Sequence, residues 1–198
     1  MELNSLKSFV ETRLYRDFPS HMPYHSIRHV IDVFESVGRI ADDEGVSPEE
    51  KNLLQAAALL HDYGFIECRE GHEQVSCKYA RIYLPLFGYN EMEIDTICEL
   101  ISATTIGHVP TSKLEKIIMD ADLEYLGRED FDEIADLLYQ ELSGVGIIAN
   151  AKQWARFQLK FLRSHKFQTS YAKKLREKNK QKQITILERY LLNEEHSS

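Results

Sequence analysis

Two histidines stand four residues apart in the stretch YHSIRHV at residues 24–30, and a histidine–aspartate pair sits in ALLHDYG at 58–64. A third stretch, IIMDADLEYLG at 117–127, carries Asp120 and Asp122 directly after an apolar run. On a helix, His25 and His29 face the same side, one turn from each other. Taken alone, such a pair fits ordinary surface or hydrogen-bonded histidines equally well. The other two stretches change its meaning. An ionised carboxylate at His61-Asp62, on an apolar helix, is costly unless a metal, a salt bridge or solvent compensates it. Asp120 and Asp122 repel each other unless a cation or a proton intervenes, and at least one of them is expected to point inward. Three separate segments thus bring imidazole and carboxylate groups into apolar surroundings. Two nitrogens and two oxygens make a hard-to-borderline donor set suited to manganese, iron, zinc or magnesium.

Bringing these groups together requires packed helices, and the chain reads as helix almost throughout. Residues 3–17 set Leu3, Leu6, Val10 and Leu14 on one stripe. Pro19 and Pro23 break that pattern; the next helix is expected from near His25 through Ile40, with Gly45 after it. Ser47-Pro48-Glu49-Glu50 combines a capping serine, a proline suited to a first turn and two acids near the positive helix end. The helix it opens runs through KNLLQAAALLHDYG, which puts His61 and Asp62 in its last turn. Further helices are expected at 70–84, 90–103, 112–125, 129–142, 148–163 and 168–192, parted by Gly, Pro and Asn. No strand-like alternation bounded by turns, internal repeat or low-complexity tract occurs. The expected fold class is all-α, in a single helical domain over residues 1–198.

Composition bounds the partners. With 198 residues, 43% of them hydrophobic, the chain can bury a substantial core. A net charge of -8 argues against a surface that is basic overall, and nucleic acid is not expected as a partner. The segment 166–182, KFQTSYAKKLREKNKQK, is the exception and reads as a solvated helix face, with an acidic ligand or RNA as the other reading. Tyr171, Leu175, Ile184, Ile186, Leu187 and Leu191 give the same region an apolar face for the body or for a second subunit, so a homodimer stays open. No run approaches the roughly 18 apolar residues of a membrane helix, and the acidic amino end lacks a secretory pattern. Cys68, Cys77 and Cys98 are odd in number and without metal-ligand spacing. A cytoplasmic protein with no membrane partner is expected.

The order His, His-Asp, Asp resembles the HD superfamily of metal-dependent phosphohydrolases, over roughly residues 21–127. YHSIRHV is similar to the family's first helix, and DADLEYLG to the DAD-x-LD-x-x-G ending of small bacterial members. HKFQTSYAKKLREK in the carboxyl part also looks like such members. The resemblance implies an HD-domain-like helical bundle with a C-terminal helical extension. It also implies a divalent metal (Mn, Fe, Zn, Ni or Mg) on His29, His61, Asp62 and Asp122, the last preferred to Asp120. The implied reaction is hydrolysis of a phosphate ester or anhydride, on a small phosphorylated, nucleotide-like substrate, by metal-activated water.

Within that frame Asp62 orients or deprotonates the attacking water. His25 protonates the leaving oxygen or holds a phosphate, or else serves as a supporting partner. His72 and His108 line the substrate site, or ligate a second ion, or lie on a polar helix face and a loop surface. Glu73 assists His72, Arg69 and Lys113 stand as phosphate partners or exposed side chains, and Asp120 hydrogen-bonds a ligand histidine. The sequence departs from the usual ending at Leu123 and Glu124, where a basic residue followed by Leu-Asp is common. Two other functions fit the same residues: a non-catalytic metal-containing sensor or interaction module, and a diiron oxygenase.

Overall fold

The computed structural model describes residues 1–196, and every regular element in that span is helical. In chain order the α-helices are α1 (Leu3–Asp17), α2 (Ile27–Glu44), α3 (Pro48–Leu60), α4 (His72–Tyr83) and α5 (Glu91–Ala103). They continue as α6 (Lys113–Asp122), α7 (Phe131–Gly144), α8 (Ala151–Ser164) and α9 (Ser170–His196). Single 3-10 turns at Tyr63–Ile66, Leu84–Phe87 and Glu124–Gly127 follow α3, α4 and α6. The all-α expectation holds. Among the described residues no helix is long and apolar enough to cross a membrane.

The ends obey local chemistry. Ser47 accepts from the Glu50 amide at 3.1 Å while its own amide donates to the Glu50 carboxylate at 2.8 Å, a reciprocal cap that starts α3. Asn90 and Glu93 do the same for α5. Two boundaries differ from the pattern-based expectation. Ser26 is extended, at φ -145 and ψ 170, so α2 starts at Ile27 and His25 precedes it instead of lying on its first turn. α3 ends at Leu60; His61 keeps helical angles, and Asp62, at φ -99 and ψ 3, already leads into the 3-10 turn.

Packing groups the chain into two units, Met1–Asp122 and a second from Leu123 onward. In the first, α3 is central and packs on α1, α2, α5 and α6. Its Ala56, Ala57, Ala58, Leu59 and Leu60 are all buried, so the carboxyl-terminal half of this helix is apolar on every side. Each fully buried leucine contributes about 1.5–3 kcal/mol. Val30, Val33, Val37 and Ile40 form the matching stripe of α2, which packs on α3 and α6.

In the second unit, α9 packs on α8 and on the Glu124–Gly127 turn. A Cβ at Gly127 would stand 2.3 Å from the Arg176 carbonyl oxygen, so only glycine permits that approach. The Arg176 guanidinium donates to Glu124 Oε1 through Nε at 2.9 Å and Nη2 at 2.7 Å. Lys180 is buried; its Nζ donates to the His165 carbonyl at 2.8 Å and stands 5.1 Å from the Phe167 ring centre. Two cations of the basic segment are therefore structural, whereas Lys166, Lys173, Lys174, Lys178 and Lys182 are exposed.

Candidate metal centre

The first turn of α2, the residues just past α3 and the last residue of α6 meet at one point. His29 Nε2 lies 3.1 Å from Asp122 Oδ1 and 3.3 Å from His61 Nε2, and His61 Nε2 lies 3.5 Å from Asp122 Oδ1. These three residues form a metal-binding triad. Asp62 stands beside the triad: its Oδ2 lies 3.4 Å from His29 Nε2 and 3.3 Å from His61 Nε2. Ligands about 2.1 Å from a metal are separated by about 3.0 Å in an octahedron and about 3.4 Å in a tetrahedron, so the spacing fits a shared ion.

Two further observations support the fit. Asp62 Oδ2 is buried and makes no hydrogen bond, an expensive arrangement for an oxygen aimed at two ring nitrogens. His61 Nδ1 donates to the Ala58 carbonyl at 2.9 Å, which leaves the lone pair of neutral His61 on Nε2, facing the centre. The electrostatics point the same way. Burial disfavours protonation of His61, yet Asp62 and Asp122 outweigh it and hold its pKa well above the usual range. Burial likewise opposes ionisation of Asp62, and His61 chiefly overcomes it, leaving that carboxyl well below its usual range. Asp122 is lowered too, by His29 and His61 against burial. The pocket favours net positive charge at its middle, which a divalent cation supplies.

The Tyr63–Ile66 turn builds the other wall. Gly64 is obligatory there, because a Cβ would lie 2.0 Å from the His72 carbonyl oxygen. Ser76 on α4 locks the turn: its hydroxyl donates to the His61 carbonyl at 2.7 Å and accepts from the Gly64 amide at 2.8 Å. His72 Nδ1 donates to the Arg69 carbonyl at 3.0 Å, and its Nε2 is 3.5 Å from Asp62 Oδ1. Burial lowers the His72 pKa, but Asp62 outweighs it and the net shift is upward. Glu73 Oε2 lies 3.7 Å from His72 Nδ1. The His25 ring centre is 6.2 Å from that of His29.

The structure thus brings His25, His29, His61, Asp62, His72 and Asp122 together. His108, on the segment before α6, is joined to Glu115, with Nε2 donating to Oε2 at 2.8 Å. Asp120 is buried on α6. Lys113 Nζ donates to the Glu44 carbonyl oxygen. Three residues at this end escape a reading based on charge and spacing alone: Phe65, packed on both His25 and His72, Tyr24, packed on His29, and Ser76. The aromatic after HDYG was a visible signal for Phe65; a lone helical serine offered none. Glu115 had one, in Ser112-x-x-Glu115, the spacing of a capping pair.

The HD domain profile matches residues 26–124, half of the chain, and the chain belongs to this family of metal-dependent phosphohydrolases. The fold is similar to that of Bacillus subtilis YpgQ, solved by crystallography in complex with ADP. The TM-score is 0.66, with 16% identity over 96% of this chain and 97% of that one. It is also similar to the Lin1889 protein from Listeria innocua, with a TM-score of 0.62 and 18% identity over 95% of this chain and 96% of that one. No curated protein sequence matches the chain.

Proposed function

We propose that the protein hydrolyses a phosphate ester or anhydride of a small nucleotide-like molecule at this centre. The observation that carries the reading is the His29, His61, Asp122 triad, with the buried, unbonded Asp62 Oδ2 facing its two imidazoles. The ADP bound to YpgQ, a protein of similar fold, supports the nucleotide-like class.

In this reading His29, His61, Asp62 and Asp122 hold a divalent ion, one of Mn, Fe, Zn, Ni or Mg. Such an ion lowers the pKa of a bound water and offsets charge developing on phosphorus. Asp62 takes the proton from the attacking water, a role its two differently placed oxygens permit. His25 holds a phosphate oxygen and, in its protonated form, donates to the leaving oxygen. His72 and His108 contact substrate, and Asp120 orients a ligand histidine from behind. The chain acts as one HD-like domain in the cytoplasm, without nucleic acid or membrane as partner; its self-association into a homodimer is a matter for measurement.

Metal content by elemental analysis, measured in wild type and in Asp122→Ala alongside phosphate release from nucleoside mono-, di- and triphosphates, tests the reading. We expect near-stoichiometric metal in wild type, its loss in the variant, and parallel loss of turnover. A ratio near two brings His72 and His108 into the ligand set. Metal without turnover on any phosphate ester supports the sensor module instead. No metal after gentle purification and reconstitution overturns the mechanism.

A further inference from the structure

Phe65 is buried, and its ring is stacked by two imidazoles. The His25 ring centre lies 4.1 Å away with planes 30° apart, and that of His72 lies 3.9 Å away with planes 24° apart. Two rings this close and this nearly parallel to a third cannot share one of its faces, so they occupy opposite faces. The Arg69 guanidinium carbon is 5.7 Å from the same ring centre. His25 enters from the segment before α2 and His72 from the first position of α4, so Phe65 ties together two segments that no helix connects directly.

Both imidazoles border the metal centre, His72 through Asp62 and His25 beside His29. An aromatic face attracts a cation by its quadrupole and restrains a neutral imidazole by stacking. An aliphatic side chain of equal bulk supplies neither. We infer that Phe65 is a positioning residue, holding His25 and His72 as a matched pair that grips the anionic oxygens of the substrate phosphate not taken by the metal. This rests on the proposed phosphohydrolase reading. The Phe65 amide donates to the Asp62 carbonyl at 3.1 Å, but its ring touches no reacting atom in that scheme and acts through the two histidines.

The test uses metal-loaded full-length protein, with Phe65→Leu, Phe65→Met and Phe65→Tyr, each also in a His25→Ala/His72→Ala background. Binding of inorganic phosphate is measured by calorimetry, and the imidazole proton shifts of His25 and His72 by NMR. We expect Phe65→Leu and Phe65→Met to weaken phosphate binding about three- to tenfold, with metal content unchanged. Their His25 and His72 signals should lose the ring-current displacement seen in wild type. Phe65→Tyr should restore both, and neither aliphatic change should weaken phosphate further once the two histidines are gone. Equal weakening in the histidine-free background, or unchanged phosphate binding in a folded aliphatic variant, overturns the inference. The NMR shifts report the stack without any turnover. A protein that shows the stack and grips phosphate but hydrolyses nothing therefore fails the functional proposal and not this one.

Discussion

Asp62 divides its labour between two oxygens, Oδ1 facing His72 and Oδ2 facing the triad without a hydrogen bond. Asp62→Asn keeps the shape but removes the charge and the proton acceptor. Phosphate release should fall at least about a hundredfold while the helical circular dichroism stays intact. His165 makes a contrasting case. Burial, and then the Lys180 charge, push its pKa down to about 4, against 6.5 for an ordinary histidine. The unfolded chain therefore binds the extra proton first, so stability is full above about pH 6.5 and falls as pH drops toward 4. Each pH unit inside that window costs up to about tenfold in the folding equilibrium. His165→Phe, which keeps a ring beside Phe167 and keeps the backbone carbonyl that receives Lys180, should flatten this acid slope in urea titrations at pH 4 to 7. Residue types alone separated these roles only partly. His29, His61 and Asp122 announced themselves because ionisable groups in three apolar segments need a common explanation. Asp62 Oδ2 and His165 Nδ1 both lack a hydrogen bond, and only their neighbours, two imidazoles for one and a lysine for the other, tell a ligand from a buried base.

At the scale of elements, the HD turn depends on Gly64 having no side chain. Gly64→Ala pushes a methyl into the His72 carbonyl, and α4 must retreat. The expected result is a loss of at least about 2 kcal/mol in denaturant unfolding, together with reduced metal retention. In the second unit, Arg176 neutralises a fully buried Glu124. Arg176→Met should cost about 3–5 kcal/mol, and most of it should return in Arg176→Met/Glu124→Leu, where no buried charge is left exposed to a missing partner. The helices themselves were largely readable, since α3 and α5 carry their caps in sequence and α1 and α2 their stripes. Their ends were less so. Ser26 turned extended and moved His25 off the helix, which placed its ring against Phe65. The Arg176–Glu124 pair was not readable, because nothing local links α9 to the 3-10 turn after α6.

For the molecule as a whole, the four candidate ligands come from α2, the residues past α3, and α6, all within Met1–Asp122. A metal bound there ties distant parts of the chain in the folded state alone. Free metal at a thousand times its dissociation constant adds about 4 kcal/mol of stability, so chelation should lower the melting temperature and metal return should restore it. Ser76 gives that linkage a clock. Its hydroxyl sits between the His61 carbonyl and the Gly64 amide, so the amide proton can exchange with deuterated solvent only when α4 lifts away from the turn. The exchange rate of one proton thus counts openings of the motif that gives the family its name. Metal held through the adjoining imidazole should make those openings rarer.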